Sequence, residues 1–153
     1  MEDFNTIYVE VYIFKKIENK ILYLILKRKN SRKVYPGIWQ VVTGKREKGE
    51  KIYLSAMREC KEETDLNQKK FYSLPMTTSF YSPDDDKIHI IPLFLAEVHS
   101  EESVKLSEEH EEFKWCDLEE AVSLLFWESQ QSNLKKIEMF LSDEKLLKNL
   151  KKV

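Results

Sequence analysis

Gly44-Lys-Arg-Glu-Lys-Gly-Glu50-Lys-Ile-Tyr-Leu-Ser-Ala-Met-Arg58-Glu59-Cys60-Lys-Glu62-Glu63-Thr64-Asp65-Leu66 is the stretch from which the rest of the chain can be read. A glycine turn leads into a helix-forming run, Lys51 to Thr64, in which Tyr53, Ala56, Met57, Cys60 and Thr64 form a packing stripe. Glu59, Glu62 and Glu63 stand at i, i+3 and i+4, so a helix of 3.6 residues per turn points all three toward one spot. Three converging carboxylates repel unless a cation sits among them. Hard oxygen donors suit Mg2+, with Mn2+ as the alternative.

Upstream, Thr6 to Phe14 alternates Ile7, Val9, Val11 and Ile13 with Tyr8, Glu10 and Tyr12, which predicts a strand with one face more apolar than the other. A turn at Glu18-Asn19-Lys20 joins it to Ile21 to Lys27, an apolar run that predicts burial on both faces and a hairpin. The cationic segment Arg28 to Lys33, closed by Tyr35-Pro36-Gly37, reads as a loop, and Ile38 to Thr43 as one short strand delivering Gly44.

Downstream, Phe71 to Tyr81 and Ile88 to Val98 read as strands around the Ser82 to Asp86 turn, which places Pro92 at an edge or a bulge. A Glu-rich segment, Glu101 to Glu112, precedes a short strand at Phe113 to Trp115. Asp117 with Glu120 resembles a capping box, and Leu134, Ile137 and Leu141 mark a further helix after Ser132-Asn133. The end, Lys145 to Val153, reads as an amphipathic, frayed tail. Mixed strands, one charged helix, more strands and then helices predict an α+β fold with helices packed on a mixed sheet, in a single domain over residues 1–153.

Composition narrows the function classes. The chain has 153 residues, 34% of them charged, yet a net charge of only −2, which argues against a generally basic nucleic-acid surface. No run approaches the roughly 20 apolar residues that span a bilayer. The two cysteines, Cys60 and Cys116, lack metal-type spacing and read as small apolar fillers, so a cytoplasmic protein is expected.

The spacing of Gly44, Glu50, Arg58-Glu59-Cys60, Glu62-Glu63 and Leu66 resembles the signature of the Nudix hydrolases, with Asp65 where the family carries glycine and Cys60 as a smaller departure. That glycine sits at a helix exit, where a left-handed conformation is wanted, and Asp tolerates it better than most residues. The resemblance implies an α/β/α sandwich and hydrolysis of a nucleoside diphosphate linked to another group, by water attack on phosphorus. It implies Glu59, Glu63 and Glu62 as metal ligands, with the Gly44 carbonyl added and Arg58 with Glu50 orienting them. Glu109, from the Glu109-His110 pair, is implied as the proton acceptor and a further metal contact, with Glu108, Glu111 and Glu112 as competitors. Arg28 is implied for phosphate, and Thr43 and Ser132 are weaker candidates. Trp39 or Tyr81 is a candidate for stacking on a base or pterin ring.

Within the family, Ile38 to Gly44, Glu109-His110 and Ser132-Asn133 look most like the bacterial dihydroneopterin triphosphate pyrophosphatases, which also act on dATP-like nucleotides. The expected partner is therefore a small nucleotide or pterin triphosphate, without membrane or specific nucleic acid, and a homodimer is left open. Two other readings stand beside it: asymmetric cleavage of a dinucleoside polyphosphate, and a non-catalytic nucleotide- or RNA-binding module.

Overall fold

The computed structural model describes residues 4–153. Its strands are β1 (Phe4–Asn5), β2 (Tyr8–Ile17), β3 (Lys20–Arg28), β4 (Trp39–Gln40), β5 (Val42–Lys45), β6 (Gln68–Ser82), β7 (Lys87–Val98), β8 (His110–Cys116) and β9 (Lys151–Lys152). The helices are α1 (Ile52–Thr64), α2 (Leu118–Leu124), α3 (Glu128–Ser142) and α4 (Glu144–Asn149). The strands form one mixed sheet in the order β4-β3-β2-β7-β6-β9, with β1 on β7, β5 on β2 and β8 on β3.

β2 is the spine of this sheet. Its first half pairs antiparallel with β5 and parallel with β7, and its second half turns into the β3 hairpin at Glu18, whose φ of 56° is left-handed. One face of the sheet packs Val9, Val11, Ile13, Leu24 and Leu26 against Ala56, Cys60 and Leu66 around α1. The other packs Tyr12, Phe14, Tyr23 and Ile25 against Ala121, Leu134 and Ile137 of α2 and α3. Helices on both faces of a mixed sheet make the α/β/α sandwich, because each apolar stripe needs a sheet face to cover.

The alternation of β2 holds, with Val9, Val11 and Ile13 on one face, but the second face, with Glu10 and Tyr12, is buried too. Tyr12 donates its hydroxyl to Glu10 Oε1 at 2.8 Å, Gln130 Nε2 donates to Glu10 Oε2 at 3.4 Å, and Asn133 Nδ2 donates to the Tyr12 hydroxyl at 3.1 Å and to Thr78 Oγ1 at 2.9 Å. These bonds from α3 satisfy the buried polar groups, which is what lets a strand with a carboxylate lie between two layers. Burial still raises the Glu10 pKa, against the lowering effect of its bonds from Tyr12 and Gln130.

The stretch read as one strand over 38–43 divides at Val41 into β4, which pairs with β3, and β5, which pairs with β2. Pro92 lies within β7 opposite Thr77, where the β6 register shifts between Ser73 and Thr77, so the bulge accommodates the residue that cannot donate. Helix α3 starts at Glu128, so Ser132 lies beyond its first turn rather than beside its free N–H groups. The C-terminal segment is ordered secondary structure rather than a frayed tail: Asp143 caps α4, and β9 adds to β6 at Tyr72 and Ser73. Asp117 caps α2 as its spacing predicts, accepting from the Glu120 N–H at 2.9 Å. Among the described residues no helix is long and apolar enough to cross a membrane.

Asp65 ends α1 in the left-handed region at φ 59°, its N–H bonded to the Lys61 carbonyl. A β-branched side chain there meets steric cost that glycine avoids. Asp65→Val is expected to unfold about 1–2 kcal/mol more easily than Asp65→Gly in urea, both variants having lost the same exposed Lys61 pair; equal stabilities would show that no backbone strain is held there.

Candidate active site

The carboxylate side of the site is hung on β5 and α1. β5 carries Thr43 and Gly44 beside Glu10 and Val9 of β2, and the loop after it returns the chain to α1. Gly44 lies directly under Glu59: a Cβ built on it would overlap Glu59 Cγ and Cδ. Only a glycine leaves room for that carboxylate to rest on the backbone.

Arg58 organises the outer carboxylates. Its Nε and Nη2 donate to Glu50 Oε2 and Oε1, both at 2.9 Å, and Nη2 also donates to the Lys45 carbonyl at 2.8 Å. Nη1 donates to Glu59 Oε1 at 2.9 Å and Glu62 Oε2 at 3.1 Å. A planar guanidinium with several donors can hold three carboxylates and a carbonyl in fixed directions, which a lysine cannot. Ser55 Oγ also donates to Glu50 Oε1. The hydrogen bonds from Arg58, with help from Ser55, draw the Glu50 pKa down to about 2.

Glu63 has no such partner. It is 3% exposed, and its Oε2 has no hydrogen-bond partner among the described residues. Burial pushes its pKa well above the carboxylate range, and the charges of Glu109 and Glu59 push it further, opposed by Arg28. Glu59 is also raised, by burial first, with Arg58 acting against it. The negative charge thus exceeds what Arg58 neutralises, and the excess is concentrated on the inner face of the helix.

Among the described residues no three His, Cys, Asp or Glu side chains stand ready-made around a single metal position. The donor chemistry nevertheless fits a divalent cation: a buried, unpartnered carboxylate oxygen on Glu63, a second carboxylate on Glu59 one turn back, exposed Glu62 beside them, and hard oxygen throughout.

From the opposite side, β8 and the end of β3 bring in Glu109, His110 and Arg28. Arg28 pairs with His110 at a register shift, and the Lys29 N–H donates to the Glu109 carbonyl at 3.1 Å. Of the acidic run, Glu109 is the one whose charge bears on Glu63, whereas Glu111 and Glu112 lean on Lys27 at 3.4 and 3.9 Å. His110 is buried, 3.4 Å from Gln40 Nε2 through its own Nε2. Burial, then Arg28 and Arg32, lowers its pKa to about 4, so it is neutral at pH 7.

The remaining sequence candidates lie elsewhere. The half-buried Trp39 ring packs on the α2–α3 core. Tyr81 is exposed near the β6–β7 hairpin and donates to Asp86 Oδ1 at 2.9 Å, with no described contact to the carboxylate helix. Ser132 is inside α3, and no described bond joins it to the site. Sequence reading missed the polar group of Glu10, Tyr12, Gln130 and Asn133, because a glutamate in an alternating strand looks like its wet side. It also missed the carbonyl of Val34 as the acceptor that holds Arg28, since a backbone atom leaves no residue signal.

The family model described as the NUDIX domain matches residues 8–137. The chain is 30% identical over 132 residues to a bis(5'-nucleosyl)-tetraphosphatase (asymmetrical) of Caenorhabditis elegans, covering 85% of this chain and 92% of that one. It is 29% identical over 113 residues to nucleoside triphosphatase NudI of Escherichia coli K12, covering 69% and 80%. Among solved structures, a NUDIX hydrolase of Listeria monocytogenes superposes with a TM-score of 0.79 at 29% identity, covering 96% of this chain and 99% of that one. With the family match spanning most of its length and the carboxylate helix standing on its glycine-bearing strand, this chain belongs to the Nudix hydrolase family.

Proposed function

We propose that this Nudix hydrolase cleaves a phosphoanhydride of a nucleoside-triphosphate-like substrate, purine or pterin, releasing pyrophosphate by water attack on phosphorus with a divalent cation, Mg2+ or Mn2+. The observation that carries the reading is the buried Glu63 carboxylate, whose Oε2 has no hydrogen-bond partner among the described residues, under the charges of Glu109 and Glu59 and the opposing charge of Arg28. Glu59, Glu63 and Glu62 would hold the cation, with the Gly44 carbonyl and Glu109 as further donors. The bound cation supplies charge neutralisation at phosphate oxygens and acidification of water. Arg58, anchored by Glu50, positions the glutamates, and Arg28 binds a phosphate oxygen. Glu109 accepts the proton of the attacking water. His110, held neutral, adds no positive charge beside that base. The triphosphate choice is supported by the Glu109-His110 and Ser132-Asn133 segments and by the likeness to NudI. A second reading, cleavage of a dinucleoside tetraphosphate, is favoured by the Caenorhabditis relative. With a product assay, pyrophosphate supports the first and a nucleoside triphosphate the second. Two products from neither class of compound would sink both.

Glu63→Gln is expected to lower turnover by at least about a hundredfold while leaving the circular dichroism spectrum unchanged. Near-wild-type turnover would remove Glu63 from the metal set. Glu109→Gln should lower kcat more than it raises KM, and Glu112→Gln should do neither; the reverse pattern would move the base to Glu112.

The raised Glu63 pKa gives a stability test. A folded protein that holds a proton more tightly than the unfolded chain has that contribution in full below the ordinary carboxylate range, and loses it as pH rises through the folded-state pKa. Without metal, Glu63→Gln should therefore melt above the wild type at about pH 8, with the difference shrinking toward about pH 4. Adding Mg2+ should raise the wild-type Tm and reverse the order. A variant that melts below the wild type in chelator at high pH would contradict the electrostatic account.

A further inference from the structure

The two outer strands of the sheet differ in how they meet water. β8, paired only with β3, carries Glu111, Glu112 and Lys114, and charge on an exposed edge keeps other strands away. β6 has no such guard: the twelve residues from Phe71 to Ser82 include no charged side chain. Among the described residues its outer edge is paired only at Tyr72 and Ser73, by β9. Pro75 lies in the bulge between Ser73 and Thr77 and interrupts the edge there, whereas from Thr77 to Ser82 the ladder to β7 is regular. The outer edge of that run is a row of backbone N–H and C=O groups with no described strand partner, about 20 Å long at roughly 3.4 Å per residue. Thr77, Ser79, Phe80 and Tyr81 are exposed along it, Phe80 at 42% and Tyr81 at 59%, and Ile88, opposite Tyr81 on β7, is exposed at 40%.

An edge that meets a copy of itself under a two-fold axis brings each charge near its own image, and like charges across a strand pair repel. A strand free of charge escapes that penalty. A two-fold at Ser79, in the middle of the exposed run, pairs Thr77 with Tyr81 and Thr78 with Phe80 of the second copy. The same register brings the turn after β6, with exposed Asp84, Asp85 and Asp86, level with Leu74 to Tyr72 of the other copy. There β9 lays Lys151 and Lys152 beside Ser73 and Tyr72. Acidic and basic groups therefore meet twice, once at each end of the paired strands. We infer that β6 is a self-association edge through which two copies of this chain form an antiparallel two-fold dimer with one continuous sheet, the acidic turn of each set against the β9 lysines of the other. Six strand residues and a few apolar side chains fall below the roughly 800 Å² per partner of a standard interface, so the association is weak and concentration-dependent. β7 separates this edge from β2 and the glycine-bearing β5, so no residue of the carboxylate site lies on it.

The test is sedimentation equilibrium of the full chain between about 1 and 500 μM, in about 0.05 M and about 0.5 M salt. The wild type is expected to move from the monomer mass of 18.3 kDa toward twice that mass as concentration rises, with the higher salt weakening the association. Ser79→Lys sets two ammonium groups face to face at the axis, and the double variant Lys151→Glu, Lys152→Glu turns the attraction at both ends into repulsion. Each should raise the dissociation constant by at least about tenfold while leaving the circular dichroism spectrum unchanged. The double variant reads the interface even where Ser79→Lys fails to fold. Adding Asp84→Lys and Asp86→Lys to it restores opposite signs and should bring the dissociation constant back to within about threefold of wild type. A wild type still at the monomer mass at about 500 μM, a folded Ser79→Lys that associates as the wild type does, or no recovery in the charge-swapped variant would overturn the pairing. Equal inhibition of the dimer by a peptide of residues 76–82 and by its scrambled form would give the edge to any foreign strand, and would overturn it too.

Discussion

A carboxylate placed in the protein interior without a partner must either hold its proton or wait for a cation, and Glu63 is in that position. Much of the surrounding structure prevents the cheaper solution. The one nearby guanidinium on the same helix, Arg58, is committed outward to Glu50 and the Lys45 carbonyl, and reaches only Glu59 and Glu62 on its remaining edge. The charge of Arg28 also acts on Glu63, yet its Nε and Nη2 are turned to the Val34 carbonyl. The result is a site in which positive charge is present and oriented, while the inner carboxylate remains short of it.

That shortage is maintained by backbone as much as by side chains. Glycine at position 44 lets Glu59 rest on β5, and the pairing of β5 with the first half of β2 holds that strand against α1. On the reverse face, Glu10 and Tyr12 of the same β2 are tied to Gln130 and Asn133. The strand is therefore fixed from both layers. Movement of the glycine relative to the helix would break buried hydrogen bonds whose loss is costly in a low-dielectric interior.

The same economy runs through the loop after β3. Burial keeps His110 uncharged next to Glu109 in the chain, and the charges of Arg28 and, in this loop, Arg32 act the same way. A neutral imidazole next to a carboxylate leaves that carboxylate available as a proton acceptor, where an imidazolium would compete for its charge. The Lys29 N–H bond to the Glu109 carbonyl ties this loop to the segment that carries the proposed base.

Local pattern determined a good deal here. The i, i+3, i+4 glutamates, the glycine ahead of them, the hairpin turn at Glu18-Asn19 and the Asp117 cap are all short-range features, set by helical period and turn chemistry, and each could be read directly. The two-layer burial of β2, the division of the 38–43 segment between two partner strands and the addition of β9 to β6 could not, because they depend on which strands meet. The same is true of the site. Its carboxylate-bearing helix is visible in the residues alone, since one helix carries Glu59, Glu62 and Glu63. The isolation of Glu63, the action of the Glu109 charge on it and the hold of Val34 on Arg28 arise only when segments distant in the chain are brought together, since burial and field strength belong to the packed structure rather than to any residue within it.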